Sequence, residues 1–277
     1  MFTAVGHQKQ KEFLQLLLEK KQYSHAYLFT GPSEIGKRTI AVEFGMNLLE
    51  ISTAKTASEF WHPDLIQIDA SALAIADMRE LIDTLSLAPF SAKKKVVIID
   101  NFELASREVS NALLKTLEEP NNTTIIILIA ENYKALLPTI ISRTQRIHFG
   151  ALSYLEIAKE FPQITNPEKL NGKPGRAMRI TADPAYDLRY KSSATQLAEI
   201  KNTPKAERLL VIKKLAELED NDLTEMIRWW CESEQSELNL QPHLFSNLKA
   251  YVAGLSGINR NFNKKLILQK ILLEIIP

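Results

Sequence analysis

Gly31, Gly36 and Lys37 stand in the spacing G-x-x-x-x-G-K within HAYLFTGPSEIGKRT at residues 25–39. A loop of this spacing between a strand and a helix turns backbone N–H groups toward a phosphate and adds a lysine as a point charge. Magnesium requires a hydroxyl residue directly after that lysine, and Arg38 stands there instead. Thr39 follows, but one helical residue turns a side chain by about 100°, so it does not replace the missing hydroxyl without a change of register. Arg38 is itself a cation that can take the phosphate or magnesium position.

A second stretch, VVIIDNFELASREVSNALLKTLEEP at 96–120, runs four apolar residues into Asp100. That places a carboxylate at the C-terminal end of a buried strand, where open α/β sheets bind ligands. The next residue is Asn101, whose amide can hold a water by hydrogen bonding but cannot accept a proton. Gly31, Gly36, Lys37, Arg38, Thr39 and Asp100 therefore make a degenerate nucleotide site, with ATP and magnesium as the candidate ligands.

Strand patterns at 26–30, 65–68, 96–100 and 124–130 alternate with helical patterns at 37–50, 75–87 and 106–118, after an amphipathic helix at 9–21. That alternation predicts an α/β domain over residues 1–150, built on a mostly parallel, helix-covered sheet. Residues 151–182 predict a small helical domain broken by Pro162, Pro167 and the Gly172–Gly175 cluster. Residues 183–277 predict an all-α domain with a soft boundary: the polar stretch 183–205 is expected to be partly helical. Helical periodicity returns at Leu209–Leu218, at Leu244, Leu248 and Val252, and at Leu266–Leu272.

Composition narrows the function classes. The 277 residues are 45% apolar and 24% charged with a net charge of +1, an ordinary globular balance that argues against a nucleic-acid grip through the overall field. Lys93, Lys94 and Lys95 read as a solvated turn before the strand at Val96. Cys231, the one cysteine, excludes an intrachain disulfide and a four-cysteine zinc site, and its apolar neighbours make it a core residue. No signal layout or run of 18 apolar residues occurs, so a cytoplasmic, non-membrane protein is expected.

Taken together, HAYLFTGPSEIGKRT, HPDLIQIDA at 62–70, VVIIDNFELASREVSNALLKTLEEPNNTTIIILIA at 96–130 and LLPTIISRTQRIHF at 136–149 resemble the clamp-loader branch of the AAA+ ATPases. Within that branch they resemble the delta-prime family of bacterial DNA polymerase III. The resemblance covers residues 4–180, and NALLKTLEEP with the later Ser-Arg-Thr is its most specific part. It implies an AAA+ P-loop domain, a small helical lid and an all-α C-terminal collar that oligomerises.

Motor subunits of the family carry a P-loop Ser or Thr, an acidic residue after the strand aspartate and a polar sensor in the next strand. Here those places hold Arg38, Asn101 and Ala130–Glu131, so the resemblance implies no hydrolysis by this chain and leaves ATP binding open. Motors also carry a four-cysteine zinc module; residues 46–62 contain no cysteine, and His62 reads as a loop histidine. Arg143, between Ser142 and Thr144, falls on the family's arginine-finger motif, with Thr144 in place of a cysteine. The other reading of Arg143 is a surface arginine paired with a carboxylate at a helix end. Arg176 falls where the lid contributes a second sensor, or caps within the lid.

The implied function is a non-catalytic stator of the DNA polymerase III clamp loader. Its implied partners are motor subunits of gamma/tau type, the delta wrench subunit and, within the complex, the sliding clamp and primer-template DNA. Two alternatives stand beside it: an active motor ATPase with unusual motif spelling, and a purely structural AAA+-derived interaction protein.

Overall fold

The computed structural model describes residues 2–51, 61–164, 167–237, 247, 250, 251, 254, 258 and 263–274. They form two compact units, Met1–Met178 and Arg179–Pro277. The first contains α1 (Gln8–Lys20), β1 (Ala26–Thr30), α2 (Lys37–Leu48), β2 (Leu65–Asp69), α3 (Ile75–Ser86), β3 (Lys95–Asp100), α4 (Arg107–Glu118), β4 (Thr124–Ala130), α5 (Pro138–Ser142), β5 (Gln145–His148) and α6 (Tyr154–Glu160). The division falls inside α7 (Pro174–Ala182).

The five strands are all parallel, in the order β2-β3-β4-β1-β5. Parallel neighbours need long crossovers, and helices α2 to α5 supply them. Every residue of β1 and β4 is buried, which is why these strands read as unbroken apolar runs rather than alternating ones. Alternate residues nevertheless serve opposite faces. Tyr27, Phe29, Ile98 and Ile127 pack with Ile40 and Phe44 of α2, whereas Leu28, Val97, Ile99 and Leu128 pack with Met78 of α3 and Leu113 of α4.

Strand β5 was not expected from the sequence. Its QRIH segment buries only Ile147, and it is defined by pairing Tyr27 to Thr30 with Gln145 to His148. The lysine cluster also differs from its expected solvated turn. Lys93 is exposed and Lys94 half-buried, but Lys95 is the first residue of β3 and is buried, with Nζ donating to Thr84 O at 2.6 Å and Leu87 O at 3.2 Å. The lysine thus satisfies carbonyls at the end of α3, which its own sequence neighbours do not foreshadow.

Asp64, wholly buried before β2, accepts the backbone N–H groups of Phe90, Ser91 and Ala92 at 2.6, 2.8 and 2.9 Å. Burial alone would raise its pKa, but the three donors override it and hold the carboxyl below the usual range. His62 lies beside it as a half-buried loop residue whose Nδ1 accepts from Asp64 N at 3.1 Å.

The second unit contains α8 (Pro184–Asn202), α9 (Lys205–Leu215), α10 (Asp220–Glu237) and α11 (Lys264–Glu274). The stretch expected to be partly helical is mostly the single helix α8. Its start is capped by Asp183, which accepts from Ala185 N. Trp230 is fully buried and donates to Ser193 O at 3.0 Å. Buried Arg208 ends on three carbonyls, those of Lys201, Thr203 and Leu272, at 2.9, 2.9 and 2.8 Å. Cys231 is half-buried against this core. The helix expected around Leu244, Leu248 and Val252, and most of the cysteine-free 46–62 segment, lie outside the described residues. No described helix is long and apolar enough to cross a membrane.

Asp64 generates a test. Asp64→Ala leaves three buried donors without their acceptor and is expected to cost about 3 kcal/mol in urea unfolding. Because the folded carboxyl titrates below its unfolded value of about 4, its stabilisation is complete above that pH and lost as pH falls through the lower folded value. An Asp64→Asn chain should therefore show a shallower loss of stability on acidification.

Candidate functional site

Register brings the chemistry to one edge of the sheet. Thr30 pairs with Ala130 and Asp69 with Asp100, so the segments after β1, β2, β3 and β4 leave the sheet together. Gly31 opens the first of these loops at φ 141. A Cβ there would stand 1.9 Å from Phe149 O, so both conformation and space require glycine. Gly36 closes the loop at φ 94 as the residue before α2.

Lys37 begins α2 and turns back into the loop it follows. Its Nζ donates to Gly31 O at 2.6 Å and Pro32 O at 2.5 Å, and the side chain is buried. Burial lowers its pKa, while Glu131, Asp100 and Glu103 act in the opposite sense. The lysine therefore lies in the field of three carboxylates while its Nζ rests on loop carbonyls.

Arg38 and Asp100 meet as an ion pair, Nε to Oδ2 at 4.0 Å, and Arg38 Nη2 lies 3.5 Å from Gln67 Oε1. Burial raises the Asp100 pKa; the Asn101 backbone N–H and Arg38 oppose that shift, and Asp69 adds to it. The exposed guanidinium stands at the outer limit of ion pairing with the carboxylate that a divalent cation would need, and the position that would supply a hydroxyl ligand holds this same arginine. These residues do not fit a magnesium ion. Thr39 is one place further round α2, half-buried.

Asn101 takes the left-handed conformation, φ 51 and ψ 37, which asparagine tolerates better than most residues. Its Nδ2 donates to Asp69 Oδ2 at 2.8 Å and its N–H to Asp100 Oδ1 at 2.9 Å. The amide joins the ends of β2 and β3. That structural duty explains an amide here without any activated water.

Two participants were not singled out from the sequence. Glu103, just beyond Asn101, accepts from Glu131 N at 3.0 Å, and burial raises its pKa. Only the strand-plus-acid pattern was read there, so a carboxylate three residues past Asp100 was missed. His7, left-handed at φ 57, contacts Ile35 O in the loop through Nε2 at 2.7 Å and stacks edge-on against Phe149. A carbonyl only accepts, so Nε2 carries the proton, and burial lowers the ring pKa.

Glu34, also left-handed at φ 61, accepts from Gly175 N at 2.7 Å. A Cβ on Gly175 would lie 2.7 Å from that carbonyl, so glycine lets the first turn of α7 approach the loop. Arg176 follows it and is buried. The contact of α7 with the loop agrees with either role named for Arg176, capping or sensing, and selects neither.

Arg143 lies elsewhere, at the end of α5. Its Nη2 pairs with Glu118 Oε1 at 2.8 Å, and Nη1 donates to Thr139 O at 3.1 Å and approaches Ser142 Oγ at 3.4 Å. Thr144 Oγ1 turns inward to Ile140 O and Ile141 O. The structure therefore groups Gly31, Gly36, Lys37, Arg38, Asp100 and Asn101 in one place, and Ser142, Arg143 and Thr144 in another.

Residues 6–153 match the family model described as DNA polymerase III, delta subunit. The tau subunit of DNA polymerase III from Escherichia coli is 32% identical over 222 residues, 76% of this chain and 34% of that protein. The delta' subunit from Bacillus subtilis is 33% identical over 147 residues, 49% of this chain and 45% of that protein. The chain thus spans between a third and a half of the length of these curated relatives. A solved gamma subunit-related protein from Thermotoga maritima covers 94% of this chain and 97% of its own at a TM-score of 0.52 and 20% identity, a likeness of fold.

The charge arrangement predicts a pH-dependent variant. Asp100 and Glu103 have raised folded pKa values, so the folded state holds extra protons above their ordinary range and loses relative stability as pH rises through that window. Lys37 moderates this loss. Lys37→Met is expected to lower stability by about 1–3 kcal/mol at pH ~8 and by less at pH ~5, measured by urea unfolding at both.

Proposed function

Because the chain belongs to the DNA polymerase III delta-subunit family, among relatives named tau and delta', we propose that it is a non-catalytic stator of the clamp loader. In this reading it stands beside an ATPase motor of gamma/tau type, joins the delta subunit, and helps place the sliding clamp on primer-template DNA. Helices α6 and α7 form a lid on its AAA+ domain, and α8 to α11 contribute to the collar.

The observation that carries the non-catalytic part is the Arg38–Asp100 pair. A hydrolytic site needs a metal between a hydroxyl and that carboxylate, and a water polarised by a nearby base. Here an arginine stands where the hydroxyl would be and pairs loosely with the carboxylate, while Asn101 donates to Asp69. No step of phosphoryl transfer is assigned to these residues.

Arg143 is the contribution to chemistry in trans. A guanidinium keeps its charge at every working pH and offers planar, paired donors that suit a terminal phosphate. Its side chain is about one-third exposed at 35%, on a helix end rather than inside its own loop, as a residue that serves a neighbour requires.

Two measurements test the reading. Pure chain should show no magnesium-dependent ATP turnover above background; sustained turnover would restore the motor alternative. In a reconstituted loader stimulated by clamp and primer-template DNA, Arg143→Ala should reduce hydrolysis at the adjoining motor site by about a thousandfold or more, with assembly unchanged by sizing. An unchanged rate would leave a purely structural subunit.

A further inference from the structure

We infer that Glu118 parks the Arg143 guanidinium, so that a neighbour's polyphosphate takes it from a carboxylate of its own chain. This rests on the reading of Arg143 as a group acting in trans.

Glu118 is the last residue of α4, a 12-residue helix, and so places a negative charge at the negative end of the helix dipole. Local helix preference does not favour an acid there. The Arg143 guanidinium offsets it at 2.8 Å. On its other edge the same guanidinium donates to Thr139 O, within α5, and approaches Ser142 Oγ. The arginine is consequently held between two helix ends, by one full charge and one carbonyl dipole.

Exposure makes the hold exchangeable. The two side chains are 35% and 48% accessible, so water screens the pair and its net strength is that of a surface ion pair. A triphosphate carries more charge than one carboxylate and presents paired oxygens to the planar fork, so it wins the guanidinium when a neighbour brings it close. Until then Glu118 neutralises the finger and fixes its rotamer. Glu118 is a positioning residue: it acts through Arg143 and touches no reacting atom. Engagement costs the pair, and that cost falls on nucleotide affinity at the adjoining site rather than on the bond-breaking step.

The test uses the assembled loader with Glu118→Gln, alone and combined with Arg143→Ala. Glu118→Gln should lower KM for ATP at the adjoining site by roughly two- to fivefold, the worth of an exposed pair, with kcat little changed. The difference should shrink as salt rises from about 0.05 M to about 0.5 M, because screening weakens the pair in the parent protein. Combined with Arg143→Ala, the Glu118 change should have no further effect. A second readout needs no neighbour: an arginine-selective dicarbonyl should modify Arg143 faster in Glu118→Gln than in the parent chain, mapped by peptide mass.

If Arg143→Ala lowers the rate but Glu118→Gln leaves KM unchanged or raises it, parking is overturned and the finger stands. If Arg143→Ala leaves the rate unchanged, the finger reading fails and parking loses its function with it. Equal dicarbonyl rates in the two chains would overturn the pairing itself.

Discussion

The aligned C-terminal ends of the parallel strands set the terms for the rest of the site. That alignment forces Asp69, Asp100, Glu103 and Glu131 into one neighbourhood, at the place where the loop after β1 turns into α2. Asp100 and Glu103, the two partly buried among them, are desolvated and secondarily repelled by Asp69 and Glu131, and their pKa values are raised. In a working nucleotide site a metal and lysine would supply the opposing charge. Lys37 and Arg38 supply opposing charge from within the chain, one buried on the loop carbonyls and the other 4.0 Å from Asp100.

Legibility in the sequence followed the physics of each element. Strands β1, β3 and β4 were readable because burial on both faces demands unbroken apolar runs. Strand β5 was not, because an edge strand that buries Ile147 alone leaves no periodicity to detect. The glycine-bracketed loop, Asp100 and the missing hydroxyl were legible as chemistry carried by residue type and spacing. The pairing of Arg38 with Asp100, the clip from Asn101 to Asp69 and the place of Glu103 depend on which strands are neighbours, and no spacing encodes that. Lys95 is the plainest example: a third lysine in a run reads as solvated, yet the carbonyls at the end of α3 make a buried position for it.

Arg143 illustrates how two readings of one residue can hold together. Sequence alone offered a finger for a neighbour or a surface arginine paired at a helix end. The second is what the chain does by itself, with Glu118. It does not compete with the proposed first role, because an exposed pair is weak enough to be exchanged and specific enough to hold a rotamer.

The loop between β1 and α2 is fixed by contacts within its own chain. Gly31 has no room for a Cβ against Phe149 O, His7 is tied to Ile35 O, and Gly175 donates to Glu34 O. Through these contacts the loop joins the sheet edge to the residues before α1 and to the start of α7. A loop of this spacing presents backbone groups outward, which makes it suited to tie separate segments by backbone hydrogen bonds. The loop thereby serves as a joint: its glycines are required by packing and φ, whereas the residue after Lys37 is an exposed arginine.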